Sequence, residues 1–393
     1  MNKALLLPEV QEFIRKNLKI DLSKLILKGS PFPHVSVQEI AAQINGMRRA
    51  EKKLPTWFNA EGIIFPPNIN LEQTSSEITA KYKASLVSGK EMTDLTGGFG
   101  IDSFFFAERF EKLTHCELDP ELSKIASHNF KVLGRNNIHT FAGDGIAFLK
   151  DSPQKIDLIY LDPARRDDYG GKVFLLEQCT PDVPGNMELL FDRSNKLLIK
   201  TSPLLDLKAG ILELKNVAEI HIVAVNNEVK ELLWLLEKDF AEKEIRIKTV
   251  NFLKKNVQEF EAVYAGNLED APLSLPGKYL FEPNPAVMKS GLFAEVASQT
   301  GTTKLHSNSH LFTSDEIQHF PGRSFKVLEI LPYLKKILKK HPAFKKANIT
   351  TRNFPKTVED LRKELKIEDG GDSYLFFTTN LNNDKIMLVC EKI

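Results

Sequence analysis

The chain has 393 residues, with 53 Lys and Arg against 52 Asp and Glu, for a formal net charge of +1. A hydrophobic fraction of 42% and a charged fraction of 27% exclude disordered, collagenous and coiled-coil readings for most of its length. At about 150 residues per domain, two or three domains are expected.

Residues 1–85 read as helical. Apolar positions recur at helical spacing in VQEIAAQINGMRRAEKKL, PTWFNAEGIIFPPNINLEQ interrupts the pattern, and a further helix runs from Ser75 to Leu86 with Ser75 or Ser76 as its cap. From Lys90 the pattern changes. EMTDL, KLTHCEL, NIHTFAG, IDLIYLD, KLLIKTS, AEIHIVAV and RIKTVNF are seven strand candidates, separated by helical periods such as DPELSKIASHNFKVLG and EVKELLWLLEKD. Alternating strands and helices predict a Rossmann-like, doubly wound α/β sheet over residues 86–268.

After the linker LEDAPLSLPGKY, the remainder predicts a small α+β module, divided into a ferredoxin-like part at 278–325 and a second part at 326–393. Its strand candidates are KYLFE, SHLFT, SFKVLEI and the pair SYLFFTT/KIMLVCEK, joined by a turn at Asn382-Asn383-Asp384. Helices are expected at AVMKSGLFAEVA, LPYLKKILKK and TVEDLRKELK. No apolar run approaches the about 18–20 residues that span a bilayer, and the apolar stretch of MNKALLLPEVQEF is too short for a secretory signal. The three cysteines, Cys116, Cys179 and Cys390, form no CxxC pair, so the expected compartment is a reducing cytoplasm.

The most informative stretch is EMTDLTGGFGIDSFFFAERF. A strand ends at Asp94, Gly97, Gly98 and Gly100 turn the chain, and a helix starts at about Ile101. Glycines let the backbone approach a ligand, and doubly wound sheets bind ligands at this end of the first strand; a plain strand-to-helix turn is the alternative. In the next strand Glu117 is placed to accept ribose hydroxyls, while Asp119, before Pro120, caps a helix. After the third, Asp144 is placed to accept from an adenine amine or to cap a helix. Thr96, Leu118 and Gly145 complete the candidate cofactor set. A dinucleotide fingerprint needs a third glycine that this turn lacks, and Asp94 is misplaced beside a pyrophosphate. The acidic rim suits S-adenosylmethionine, which carries an ammonium and a sulfonium but no phosphate.

DLTGGFGID, CELD, AGDG and DLIYLDPARR resemble the successive motifs of class I S-adenosylmethionine-dependent methyltransferases, from about Thr74 to Tyr264. QTSSEITAKYKA and HNFKVLG resemble the trimethylguanosine synthase group of RNA methyltransferases. EPNPAVMKSGLF, HLFTS, FPGR, RNFP and DGGDSYLFFTT are similar to a bacterial methyltransferase family with a THUMP-like C-terminal domain. THUMP domains are associated with RNA, so the resemblance implies a tRNA or rRNA partner. In amino-methyltransferases, the loop after the fourth strand holds the acceptor amine with an Asp or Asn, two prolines and an aromatic. Asp162 and Pro163 match; Ala164 and Arg165 stand where the second proline and the aromatic belong. Tyr169 is a substitute for stacking. Arg165 and Arg166 either hold a substrate phosphate or pair with Asp167 and Asp168.

Carbon methylation of a pyrimidine usually uses a cysteine, and TSPLLD after the fifth strand has none. Cys179 reads as a structural thiol, and a nitrogen acceptor is expected ahead of oxygen. His306, His310 and His319 match no zinc spacing, so no metal is expected. No acid occurs from Ile330 to Val358, where Lys335, Lys336, Lys339 and Lys340 fall on one helical face. That face is either a phosphate-binding surface or a solvated one. Two other classes stay open: an RNA-binding protein with a degenerate loop, and a nucleotide-dependent oxidoreductase.

Overall fold

A computed structural model describes residues 1–66, 74–165, 175–240, 244–264, 266, 270–334, 338 and 345–393. The chain forms two units, Met1–Val217 with Leu233–Phe240, and Ala218–Leu232 with Ala241–Ile393.

The first unit opens with helices, as its apolar spacing requires. The longest, Val37–Lys53, starts at a reciprocal capping box between Ser36 and Glu39. Glu77–Ser85 starts at Ser76, whose hydroxyl accepts from the Thr79 amide. The sheet follows with β1 (Gly89–Asp94), β2 (Phe110–Glu117), β3 (Ile138–Ala142) and β4 (Leu158–Leu161). A short antiparallel pair, β5 (Ala164–Arg165) and β6 (Cys179–Thr180), precedes β7 (Lys196–Thr201). Next come β8 (Val217–Val225) and β9 (Glu228–Glu237), the second half of β9 belonging to this unit. Strand order here is β9–β7–β4–β1–β2–β3. The pairings of β1 with β2 and β4, of β2 with β3 and of β4 with β7 are all parallel. The chain steps outward from β1 to β3 and returns to β4 on the other side of β1. The carboxyl ends of β1 and β4 therefore flank a topological switch point, where such sheets hold ligands. All four residues of β4 are buried, because helices cover both faces of a parallel sheet.

In the second unit, β10 (Ile245–Phe252) pairs parallel to β8 and antiparallel to β11 (Val257–Tyr264), in the order β11–β10–β8–β9. A separate seven-stranded sheet contains β12 (Tyr279–Pro283), β13 (Thr303–Lys304), β14 (Phe312–Ser314), β15 (Gly322–Pro332), β16 (Lys346–Arg352), β17 (Glu368–Thr379) and β18 (Lys385–Lys392). Its order is β13–β14–β12–β15–β18–β17–β16. Period-two alternation feeds both of its faces. Leu375, Phe377, Met387 and Val389 pack with Leu361 and Leu365 of the helix Val358–Leu365. Phe376, Ile386, Leu388 and Cys390 pack on the opposite side with Leu280 and Phe325.

Three elements differ from the sequence expectation. EVKELLWLLE is the strand β9, not a helix, and KANITTR is the strand β16. The start of LPYLKKILKK belongs to β15, while positions 335–337 and 339–344 lie outside the described residues. Among the described residues no helix is long and apolar enough to cross a membrane.

Candidate active site

The turn after β1 is pressed against β2 and the helix Pro120–Val132. A Cβ at Gly97 would sit 2.1 Å from the His115 ring, and one at Gly100 would sit 2.3 Å from Phe130. Gly100 also has φ +88°, a left-handed value that favours glycine. Beneath the turn, Asp94 is 1% exposed. Its carboxyl accepts from the Thr96 amide at 3.0 Å and from the Ser103 hydroxyl at 2.6 Å, and Ser103 meets His115 Nδ1 at 2.9 Å. Burial pushes Asp94 up to about 7 and His115 down to about 4.

Glu117 ends β2. One of its oxygens accepts from the Gly98 amide at 2.7 Å and the other from the Asp119 amide at 2.8 Å, so its carboxylate is held against the glycine turn. Asp144, after β3, caps the helix Gly145–Asp151 through one oxygen, which accepts from Ile146 and Ala147. Gly145 lies so close to the first turn that a Cβ would meet the Leu95 carbonyl at 2.6 Å. After β4, the Asp162 amide donates to Thr96 Oγ1 at 2.6 Å, and Lys200 of β7 forms an ion pair with Asp162 Oδ2. The register explains that pair: Leu161 lies opposite Ile199, so the next residues are neighbours.

These groups line two adjoining lobes of about 320 Å³ and 230 Å³, both bordered by Thr96, Gly98 and Asp162. Glu117, Leu118, Asp144 and Gly145 line the larger; Asp94, Gly97 and Gly100 line the smaller. Every candidate cofactor residue thus falls on one cleft. Five acidic side chains border it, from Asp94, Asp102, Glu117, Asp144 and Asp162; lysines pair with Asp102 and Asp162 from behind the lining, and no basic side chain borders the cleft itself among the described residues. That wall repels a pyrophosphate and fits a cationic ligand, so the residues present suit S-adenosylmethionine.

Pro163 is buried behind Asp162, and the Arg165 backbone pairs with Cys179. The Arg165 side chain, Arg166, Tyr169, Lys335, Lys336, Lys339 and Lys340 lie outside the described residues. Cys179 is buried, as expected of a structural thiol, but Cys116 is the cysteine that lines the larger lobe. Burial, helped by Asp94 and Asp144, keeps the Cys116 thiol protonated far above neutral pH, which makes it a poor nucleophile.

Sequence reasoning missed a buried polar network beside the smaller lobe. Lys83, with no exposed side-chain surface, pairs with Asp102 at 3.2 Å and donates to Ser75 at 3.1 Å. Asp102 accepts from Ser75 and Tyr160, each at 2.8 Å. Burial alone favours the acid form of Asp102, but the ammonium groups of Lys83 and Lys200 and the two hydroxyls outweigh it and hold the carboxyl below its ordinary range. Among the described residues no group of three or more His, Cys, Asp or Glu could hold a metal ion.

Known proteins resemble this chain, one of them along its whole length. A family model for a ferredoxin-like domain matches residues 279–321, and one described as THUMP domain-like matches residues 322–392. The crystal structure of a protein classed as a methyltransferase from Porphyromonas gingivalis W83 is 30% identical. It superposes with a TM-score of 0.88 over 100% of this chain and 99% of its own. An uncharacterized S-adenosylmethionine-dependent methyltransferase of Mycobacterium tuberculosis, from strains H37Rv and CDC 1551, is 23% identical over 273 residues, covering 67% of this chain and 69% of its own.

Proposed function

This chain belongs to the class I S-adenosylmethionine-dependent methyltransferases with a THUMP-like C-terminal domain, and on that premise we propose that its acceptor is RNA, either tRNA or rRNA, methylated at a base nitrogen ahead of an oxygen. The observation that carries the RNA reading is the THUMP-like match over residues 322–392, since THUMP domains are associated with RNA.

S-adenosylmethionine supplies a methyl group on a positively charged sulfur. In this reading Glu117 binds the ribose hydroxyls, Asp144 caps its helix with one oxygen and meets the adenine amine with the other, and Leu118, 64% exposed, covers the base. Asp94 and the glycine turn hold the aminoacyl end. Asp162 borders both lobes, so it accepts a hydrogen bond from the acceptor and aims the lone pair. Orientation of this kind supplies most of the rate when the displacement needs no covalent intermediate. A carbon acceptor is disfavoured because the thiol that lines the cleft stays protonated.

The test is nucleoside mass spectrometry of tRNA and rRNA from a deletion strain and its parent, followed by transfer of labelled methyl groups to the deletion-strain RNA by the purified protein. A single methylated nucleoside missing from the strain and restored in vitro supports the proposal. Unchanged nucleosides and no transfer to either RNA overturn it.

A further inference from the structure

We propose that Lys200 is a positioning residue that fixes Asp162 and balances its charge, so that the cleft presents one carboxylate oxygen to a neutral N–H or O–H acceptor. The inference rests on the reading that Asp162 faces the acceptor.

Asp162 is gripped at two points. Thr96 Oγ1 takes its amide proton at 2.6 Å, which fixes the backbone, and the Lys200 ammonium takes Oδ2, which fixes the side-chain torsion. The Lys200 side chain is 12% exposed and that of Asp162 is 36% exposed, so the lysine is the more buried partner, while Asp162 and not Lys200 lines the cleft. Among the described residues Oδ1 has no hydrogen-bond partner, while both lobes open on Asp162. A carboxylate held in this way keeps its second oxygen as an acceptor in a fixed position.

The pair also has an electrostatic consequence. The cleft wall carries five carboxylates, and a sulfonium must sit in it. An ionised Asp162 without a counter-ion would strengthen ground-state binding of that cation and would attract a charged ammonium as acceptor. A protonated amine has no lone pair to receive a methyl group. Pairing Asp162 with Lys200 removes both effects and keeps a hydrogen-bond acceptor in place. Lys200 also helps hold Asp102 ionised, so a single lysine serves two carboxylates of the cleft.

The two forms of the cofactor make a charge probe that needs no acceptor. S-adenosylmethionine carries the sulfonium and S-adenosylhomocysteine does not, while the rest of the two molecules is the same. Calorimetric dissociation constants for both are measured on the wild type, Asp162→Asn, Lys200→Met, the double variant and Lys200→Arg. Asp162→Asn leaves the lysine charge without its partner. It weakens S-adenosylmethionine relative to S-adenosylhomocysteine by on the order of tenfold. Lys200→Met shifts the ratio the opposite way, the double variant returns to the wild-type ratio, and Lys200→Arg stays near it. Methyl transfer to deletion-strain RNA falls in Lys200→Met and recovers in Lys200→Arg. A structural role alone would move both ligands together and leave the ratio unchanged. If Lys200→Met does not fold, Asp162→Asn must still shift the ratio. A constant ratio across the folded variants overturns the inference. Because the ratios are measured without RNA, failure to methylate any RNA would overturn the RNA reading without touching this result.

Discussion

Asp94 is an acid that burial holds half-protonated near neutral pH, at about 7, with only Ser103 and the Thr96 amide to favour its charge. An ammonium seated beside it favours the carboxylate, so below pH 7 binding must expel a proton. Cofactor affinity should therefore rise as pH climbs from 5.5 to 7.5, by up to about tenfold per unit, and level off above 8. Calorimetry with S-adenosylhomocysteine in buffers of different ionisation enthalpy should detect up to about one proton released at pH 6 and none at pH 8.5. Asp94→Asn should abolish the release. Glu117→Ala should weaken the same ligand by roughly ten- to a hundredfold, since a hydrogen bond to a charged group contributes about 1.5–3 kcal/mol. Equal affinity in the variant would remove Glu117 from the site. The acids at strand ends were legible because their distance from a glycine turn follows from the fold's geometry. Lys83, Asp102, Tyr160 and Lys200 were not, because a lysine on a helix or strand reads as a solvated charge. Only the adjacency of β4 and β7, and of two helices, brings these residues together.

Helices and strands misread in sequence have specific causes. The run LLWLL in β9 is apolar without alternation, which imitates a buried helix, yet it arises because both faces of this strand are covered. The better signal was Asn226-Asn227. Both residues adopt left-handed backbone angles, φ 51° and 62°, and together they form the two-residue turn that joins β8 to β9. Asn226→Val should cost about 1–2 kcal/mol in urea unfolding, because a β-branched residue resists that conformation, while Asn226→Gly should cost little. Equal losses would mean the Asn226 side chain matters more than its backbone. The helix Glu77–Ser85 is tied to Ile101–Phe106 by the buried Lys83–Asp102 pair. Lys83→Met leaves the buried Asp102 with Lys200 as its remaining cation and two hydroxyl donors, so it should destabilise the protein by roughly 1–3 kcal/mol, less than a fully stranded charge would cost. Lys83→Met with Asp102→Asn should recover part of that loss. If the double variant is as unstable as the sum of the singles, the pair is not coupled.

At the scale of the whole molecule, the net charge of +1 hides a local excess: no acid lies between Ile330 and Val358. Two of the cations there are already committed, Arg352 to Glu282 and Lys356 to Glu364. Of the six lysines that remain, at 335, 336, 339, 340, 345 and 346, the helical pattern of the sequence places Lys335, Lys336, Lys339 and Lys340 on one face, and these four are expected to meet RNA. Each phosphate neutralised releases condensed counter-ions, so RNA affinity should fall steeply with salt. Replacing all four by Ala should flatten the log–log salt slope by roughly 0.7 for each phosphate of single-stranded RNA that is no longer neutralised. The loss should be similar for every RNA sequence, because phosphate contacts position a partner without reading its bases. Affinity for S-adenosylhomocysteine should not change, since the candidate cofactor residues lie between positions 94 and 145 of the sequence and the lysines at 335–340. Titrations against tRNA and rRNA fragments at several salt concentrations measure both quantities on one preparation. A lower affinity with an unchanged slope would point to local unfolding rather than missing charge. An unchanged affinity and slope would make the four lysines a solvated face and would move RNA recognition to another part of the chain.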